Sequence, residues 1–191
     1  MSTASDPIPV KALRAALTLF ARHGFNRTSM ADVAEAAGIS RATLYVHFKD
    51  KAALFDGLAD NLVRDALASM RDAWHDGAPF AENLAAVILA RDLPLHRLKH
   101  TSPHGGELLA SDSESARTCA RTLDAEFLKY LRKRAGEAAK TGRRFEVFGG
   151  IAAFGPFVSE AAAGFKTVVV SEDRYRCAIH TFAALVEAAT Q

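Results

Sequence analysis

The sequence has few of the residues that would indicate a disulfide scaffold or a cysteine metal site. It contains two cysteines among 191 residues, and Cys119 and Cys177 are too far apart to form a Cys-x-x-Cys motif. It has no run approaching the ~18–20 uninterrupted apolar residues of a transmembrane helix. Its first apolar run is interrupted by charges, unlike a signal peptide, so we expect a cytoplasmic chain with no membrane partner.

The sequence also has little excess of either sign of charge, with 24 Lys and Arg against 22 Asp and Glu. The distribution is less even than the total. Residues 1–51 hold seven basic and four acidic side chains, whereas the remainder has a slight acidic excess. Such asymmetry is a weak indication of nucleic-acid contact near the N-terminus, and a plainly solvated surface is the alternative. With 49% apolar residues, the composition excludes a disordered tail.

Signals for β-strands are nearly absent, the best being the β-branched run 167–170. Apolar residues elsewhere recur at helical spacing, which predicts an all-α fold. We expect Pro94, Pro103 and the Gly105–Gly106 pair to break the chain into short pieces after Arg91. The predicted helices are 10–23, one from 28 or 29 to 37, 41–47, 51–74, 80–91, 118–140, 146–164 and 172–189.

Residues 29–48 have the pattern of two short helices joined by a tight turn. Ser29-x-x-Asp32 has the spacing of a capping box, and Ser40 is a good N-cap for the following helix. Between them Gly38 can adopt a positive φ and allow a sharp turn. This arrangement predicts a helix-turn-helix whose second helix fits the major groove of DNA, and a generic helical hairpin is the alternative.

The segment 24–51, GFNRTSMADVAEAAGISRATLYVHFKDK, closely resembles the N-terminal domain of TetR/AcrR-type transcriptional regulators. The resemblance spans about residues 10–55. It implies an N-terminal three-helix DNA-binding domain with the helix-turn-helix (residues 1–53) and a larger C-terminal helical domain for ligand binding and dimerisation (residues 54–191). It also implies a homodimeric repressor that a small molecule releases from its operator.

We assign candidate DNA contacts to this motif. The Arg41 guanidinium can pair with guanine O6 and N7 or contact a phosphate. Lys51 can add a charge-assisted phosphate contact. The hydroxyls of Thr28 and Ser29 can bind phosphate or cap the second helix, and Tyr45 and His47 resemble the backbone-contacting pair of the family. The full set of predicted contacts is Arg27, Thr28, Ser29, Ser40, Arg41, Ala42, Thr43, Tyr45, His47 and Lys51.

Candidate ligand-binding residues lie in the remainder of the chain. His96, His100 and His104 recur every four residues, but Pro103 and Gly105 argue against one continuous helix carrying all three. Lining of a ligand pocket or a plain surface is therefore favoured over a metal site, and we predict no metal and no cofactor. The candidates are Trp74, His96, His100, His104, Phe127 and Phe154.

The last two predicted helices each carry an apolar stripe at spacings of three and four. One stripe can pack on its own core, but two adjacent stripes indicate an intersubunit four-helix bundle. A two-fold dimer presents two reading helices, so we expect a near-palindromic operator in double-stranded DNA. The predicted interface residues are Phe148, Ile151, Gly155, Tyr175, Ile179, Phe182 and Val186.

Enzyme signatures are missing from the sequence. It has no P-loop, no dinucleotide-binding glycine pattern, no Gly-x-Ser-x-Gly elbow and no HExxH motif. We therefore expect a chain that is not an enzyme. The alternatives are a ligand-independent activator or architectural DNA-binding protein, and an all-helical enzyme or lipid carrier that retains the helix-turn-helix.

Overall fold

The computed structural model describes residues 7–110 and 114–191, which form α-helices and one short 3₁₀ turn and no β-strand. In the run 167–170 that resembles a strand, the first two residues end a helix and the last two have no regular secondary structure. The all-α prediction is confirmed. The helices are α1 (Ile8–His23), α2 (Met30–Ala36), α3 (Arg41–His47), α4 (Lys51–Asp72), α5 (Phe80–Thr101), α6 (Gly105–Leu109), α7 (Glu114–Lys140), α8 (Ile151–Val168) and α9 (Glu172–Ala189), and the 3₁₀ turn is Glu146–Phe148.

The described residues divide into two compact units, each built from two segments of the chain. The first unit combines the residues up to Arg64 with Arg97–Cys119, and the second combines Asp65–His96 with Ala120–Gln191. The predicted domains 1–53 and 54–191 instead divide the chain at a single position. None of the described helices has the length and apolar character needed to cross a membrane.

The first unit is built around the apolar faces of α1–α4. Phe20, Val33, Leu44 and Leu54 are completely buried at its centre. α6 adds Leu108 to this core. It approaches the end of α5 so closely that a Cβ on Gly105 would lie 1.7 Å from the Leu98 carbonyl oxygen. Only glycine fits at that position, which explains why the sequence has no side chain there.

The second unit has a core rich in aromatic rings. Phe80, Phe145 and Phe154 contact one another, with ring centroids between 4.8 and 6.2 Å apart. Phe127 and Leu131 from α7 and Ile179 from α9 are also buried. Edge-to-face and tilted ring pairs of this kind stabilise a core beyond their buried area.

Two helix predictions are wrong. Pro94 does not break α5, which continues to Thr101. A proline inside a helix costs about 3 kcal/mol, but most of the preceding residues of α5 are buried, and this burial outweighs the lost backbone hydrogen bond. The predicted helix 146–164 is a 3₁₀ turn followed by α8, because Gly149 and Gly150 adopt φ values of 83° and 92° between them.

Candidate nucleic-acid interface

α2 begins with a complete capping box. The backbone N–H of Ser29 donates to the Asp32 carboxylate over 2.8 Å, and the N–H of Asp32 donates back to Ser29 Oγ over 3.2 Å. The hydrogen bonds from the Ser29 backbone and hydroxyl lower the pKa of Asp32 below its ordinary value. The spacing Ser29-x-x-Asp32 therefore acts as predicted, and it fixes where α2 starts.

α3 is positioned by the turn that precedes it. Gly38 adopts a φ of 67°, and the Ile39 N–H donates to the Ala34 carbonyl over 3.0 Å. Ser40 Oγ then accepts from the Thr43 N–H over 3.0 Å and caps α3, as predicted. Leu44 is completely buried against the core of the first unit. One face of α3 is thereby fixed to the core, and the opposite face remains in solvent.

The solvent face of α3 carries Arg41, Ala42, Tyr45 and His47, all exposed, while Thr43 is half-buried. Sequence reasoning did not include Val46, which is 81% exposed and belongs to the same face. The spacing of Ala42 and Val46, one helical turn apart, is the signal that could have identified it. Exposed methyl groups on a reading helix suit contact with the thymine methyl group in the major groove.

A shallow groove of about 480 Å³ runs beside this face, and we call it the basic groove. Its described lining residues include the cationic side chains of Arg27, Arg41 and Lys51 and no carboxylate. Its full lining is Asn26, Arg27, Thr28, Ser29, Met30, Ala31, Arg41, Tyr45 and Lys51. The structure thus brings together six of the ten predicted DNA contacts around one positively charged concavity.

Two residues predicted to contact phosphate instead donate hydrogen bonds to backbone carbonyl groups. Thr28 is 3% exposed, and its hydroxyl donates to the Gly24 carbonyl oxygen over 2.9 Å. The Lys51 ammonium donates to the carbonyl oxygens of Phe25 at 2.7 Å and Thr28 at 3.0 Å. It also lies 4.5 Å from the centre of the Phe25 ring. Both side chains stabilise the loop between α1 and α2. The carbonyl groups of this loop lie outside the helices and therefore need other hydrogen-bond donors.

The predicted ligand residues are divided between the two units. Trp74 packs edge-on against Phe80 and Tyr130 in the second unit, where Phe154 and Phe127 are fully buried. His96 is buried there as well, stacked on Tyr175 with ring centroids 5.0 Å apart. In the first unit, His104 contacts the Glu107 carboxylate over 3.0 Å, and His100 is half-buried near the end of α5. The three histidines therefore do not share one helical face.

Sequence reasoning missed a buried charged network in the second unit. Asp92 is 1% exposed and accepts from Arg91 at 2.8 Å, Lys166 at 3.1 Å and the Tyr175 hydroxyl at 2.9 Å. Arg91 is 3% exposed, and its guanidinium lies 3.9 Å from the centre of the Phe127 ring. An Arg-Asp pair interrupting the apolar run of α5 was the available signal, since paired charges are the form in which ions are buried.

Most of the predicted interface residues are buried within the protomer. Tyr175 and Ile179 have no exposed surface, Val186 and Phe182 have 2% and 8%, and Gly155 is buried against α7. The prediction placed the interface on a face of α9 that forms the core of the second unit. An apolar stripe alone does not distinguish these two uses. The exposed apolar side chains nearby include Phe157 and Val168 on α8, Leu185 on α9 and Val147 in the 3₁₀ turn, while Phe148 and Ile151 are half-buried.

Comparison with known proteins gives matches to the first part of the sequence and to the fold of the whole chain. A family model described as bacterial regulatory proteins, tetR family, matches residues 12–58. The HTH-type transcriptional repressor BdcR of Escherichia coli is 34% identical over 80 residues, which are 42% of this chain and 41% of BdcR. The chain thus matches about two fifths of the length of such curated relatives.

Solved structures match over almost the whole chain. A putative TetR-family transcriptional regulator from Rhodococcus sp. superposes with a TM-score of 0.70 at 20% identity, covering 94% of this chain and 98% of that one. The transcriptional regulator FadR from Bacillus subtilis, solved in complex with stearoyl-CoA, gives a TM-score of 0.66 at 16% identity, with coverages of 95% and 99%. At these identities the likeness establishes the fold.

Proposed function

We propose that this chain, which belongs to the TetR family of bacterial regulatory proteins, is a cytoplasmic transcriptional repressor that binds operator DNA as a homodimer and leaves it when a small molecule binds. The observation that carries the proposal is the capped α2–turn–α3 unit. Its fixed helix α3 exposes Arg41, Tyr45 and Val46 beside the basic groove.

The exposure and the chemistry of each side chain on this surface decide whether we assign it to bases or to phosphates. We assign base reading to the exposed face of α3, where Arg41 can form two hydrogen bonds to guanine and where Ala42 and Val46 offer methyl groups. Phosphate contacts fall to Arg27 and Ser29 in the basic groove and to Tyr45 and His47. Lys51 acts as a positioning residue in this scheme, because its ammonium already donates to the loop carbonyls.

Dimerisation is assigned to the outward faces of α8 and α9. Phe157 is 42% exposed and Leu185 is 66% exposed, although both are large apolar residues. Phe157 lies 5.0 Å from the Phe148 ring, so the exposed surface is continuous with the half-buried aromatic edge of the unit. A two-fold axis across these helices buries the apolar surface of both protomers and presents two copies of α3 to successive turns of DNA.

Ligand-controlled release is supported by the fold. FadR from Bacillus subtilis, which shares the fold, was solved in complex with stearoyl-CoA, and this supports the proposal of a small-molecule ligand. In this chain the second unit contains the aromatic cluster of Phe80, Phe145 and Phe154 and the buried Arg91–Asp92 pair. A ligand bound there that prefers one arrangement of the helices shifts the population away from the DNA-binding form.

The proposal is tested by selecting DNA from a random pool with the full chain. We expect enrichment of a near-palindrome with half-sites about one helical turn, ~10 base pairs, apart or more. Fluorescence anisotropy on the selected site then measures affinity against salt, and log affinity is expected to fall by about 0.9 per phosphate neutralised for each unit of log salt. No enriched sequence, or affinity that is flat with salt, contradicts the proposal.

A further inference from the structure

The first unit contains a cavity of about 490 Å³ that is separate from the basic groove, and we call it the aromatic cavity. Its walls come from the loop before α2, from the first turns of α4 and from α6, all within the first unit. Its lining is Phe25, Asn26, Ala52, Phe55, Asp56, His104, Glu107, Leu108 and Ala110. This volume is in the range of small-molecule pockets, ~300–1,000 Å³.

The lining combines aromatic rings with carboxylates. Phe25 and Phe55 pack edge-to-face with their centroids 5.5 Å apart, so the rings are held in a fixed relation. Asp56 and Glu107 contribute the carboxylates, and none of the described lining residues is a lysine or an arginine. A nearby cation is the Lys51 ammonium, over the Phe25 ring. His104 Nδ1 lies 3.0 Å from the Glu107 carboxylate. Aromatic faces and negative charge are the two features that recognise an organic cation.

The charge of the adjoining α4 surface agrees with this chemistry. The Cys119 thiol donates to the Asp60 carboxylate over 3.3 Å, one helical turn beyond Asp56. Burial, the hydrogen bond to Asp60 and the negative charges of Asp60 and Asp56 together raise the pKa of Cys119 to about 11. The carboxylates of α4 thus create a negative potential that disfavours a further anion and favours a cation.

We propose that the aromatic cavity is a binding site for an organic cation with an aromatic or bulky apolar body. The cation lies against Phe55 with its charge near Asp56, because the Lys51 ammonium already lies 4.5 Å from the centre of the Phe25 ring. This site goes beyond the ligand-controlled release proposed above, because it lies in the unit that carries the helix-turn-helix. Its occupant also contacts Phe25 and Asn26, whose carbonyl oxygens accept from Lys51 at the entrance to α2.

The test uses two probes of one shape and opposite charge, tetraphenylphosphonium and tetraphenylborate. Isothermal titration of the full chain in the absence of DNA is expected to give one site for tetraphenylphosphonium and none for tetraphenylborate. Because DNA is absent, the outcome does not depend on whether the chain is a repressor. Failure of tetraphenylphosphonium to bind, or equal binding of both probes, overturns the proposal.

Variants then locate the site. Asp56→Asn keeps the shape of the side chain and removes its charge, so we expect about tenfold weaker binding, equal to the loss of one charge-assisted contact. Glu35→Gln removes an exposed carboxylate of the first unit outside the lining, and it is expected to change affinity by less than about twofold. Ala52 is exposed and lines the cavity, so the Ala52→Phe variant is expected to fold normally while its larger side chain fills the cavity. Binding that is unchanged in both Asp56→Asn and Ala52→Phe overturns the proposal.

Discussion

The helix-turn-helix of the first unit and the buried centre of the second unit use polar side chains in opposite ways. In the first unit the Ser29–Asp32 and Ser40–Thr43 hydrogen bonds lie at the surface and join residues three positions apart. In the second unit Asp92 joins residues that are 74 and 83 positions away, and it is buried. Local hydrogen bonds leave the reading surface in water, whereas the long-range network removes charges from water and makes the surrounding helices depend on one another.

The electrostatics of Asp92 indicate how strongly the surrounding helices depend on this network. Burial by itself raises the pKa of Asp92, but the charges of Arg91 and Lys166 and the hydrogen bonds from Arg91 and Tyr175 outweigh it, so the net pKa lies below its ordinary value. The carboxylate is therefore ionised and compensates two cations. Since the Arg91 side chain is 3% exposed, water cannot replace that compensation.

Among substitutions of polar side chains, Asp92→Asn is expected to have the largest effect on stability. It preserves shape but leaves Arg91 without its buried counter-ion, and we expect the free energy of unfolding of the second unit to fall by about 3–5 kcal/mol. Urea denaturation followed by the fluorescence of Trp74, which belongs to this unit, measures it. The Asp92 network lies in the second unit, so the unfolding of the first unit is expected to change little.

A matched control is Asp124→Asn. The Asp124 carboxylate lies 3.7 Å from the Arg91 guanidinium, but it is 63% exposed. We expect a loss below about 1 kcal/mol, because water screens an exposed ion pair. The direction in which pH changes the stabilisation by Asp92 follows from its lowered pKa. Its stabilisation is present above pH ~4, the unfolded value, and is lost as pH falls further. Equal losses in both variants would contradict the buried role of Asp92.

The interface on α9 gives the next largest effect. Leu185→Glu places a charge at an exposed apolar position, and two copies meet across the proposed two-fold axis. We expect folded monomers and operator affinity about 100-fold lower, or about 2.7 kcal/mol. Size-exclusion chromatography with light scattering gives the mass, and circular dichroism checks the fold.

Two other substitutions on α9 sharpen that result. Ile179→Glu is expected to unfold the second unit, because its side chain has no exposed surface. His180→Glu places the same charge on an exposed part of α9 away from Leu185, and it is expected to leave the dimer intact. A dimer that survives Leu185→Glu would move the interface to another surface.

Sequence patterns predict the local contacts of the first unit better than the long-range contacts of either unit. The bounds of α3 and α9 and the caps at Ser29 and Ser40 follow from signals within four residues, so pattern reasoning found them. The roles of Lys51 and Asp92 depend on partners more than twenty residues away. A periodic pattern holds no information on such partners, and for the same reason it assigned Tyr175 and Ile179 to the interface instead of the core.

Arg41 and Lys51 separate reading from positioning within the first unit. Arg41→Ala is expected to relax preference at one base pair of each half-site by about 1–3 kcal/mol. Lys51→Met should weaken all sequences by a similar factor, because it loosens the loop before α2. Its salt dependence should stay unchanged, whereas a lost phosphate contact would reduce the slope by about 0.9. Anisotropy titrations at several salt concentrations distinguish the two outcomes.

Ser29→Ala is expected to have the smallest effect, since it removes part of a local device. The variant loses the hydroxyl that accepts from the Asp32 N–H, but it keeps the backbone N–H that donates to the Asp32 carboxylate over 2.8 Å. Half of the capping box survives, so we expect a loss near 0.5–1 kcal/mol, at the low end of about 0.5–2 kcal/mol for N-cap substitutions. Ser69→Ala is the matched control, because Ser69 is exposed inside α4 and alanine is the better helix former there. Denaturant titration should therefore give opposite signs for the two variants, and a loss for Ser29→Ala as large as that for Asp92→Asn would remove the distinction between local and long-range polar contacts.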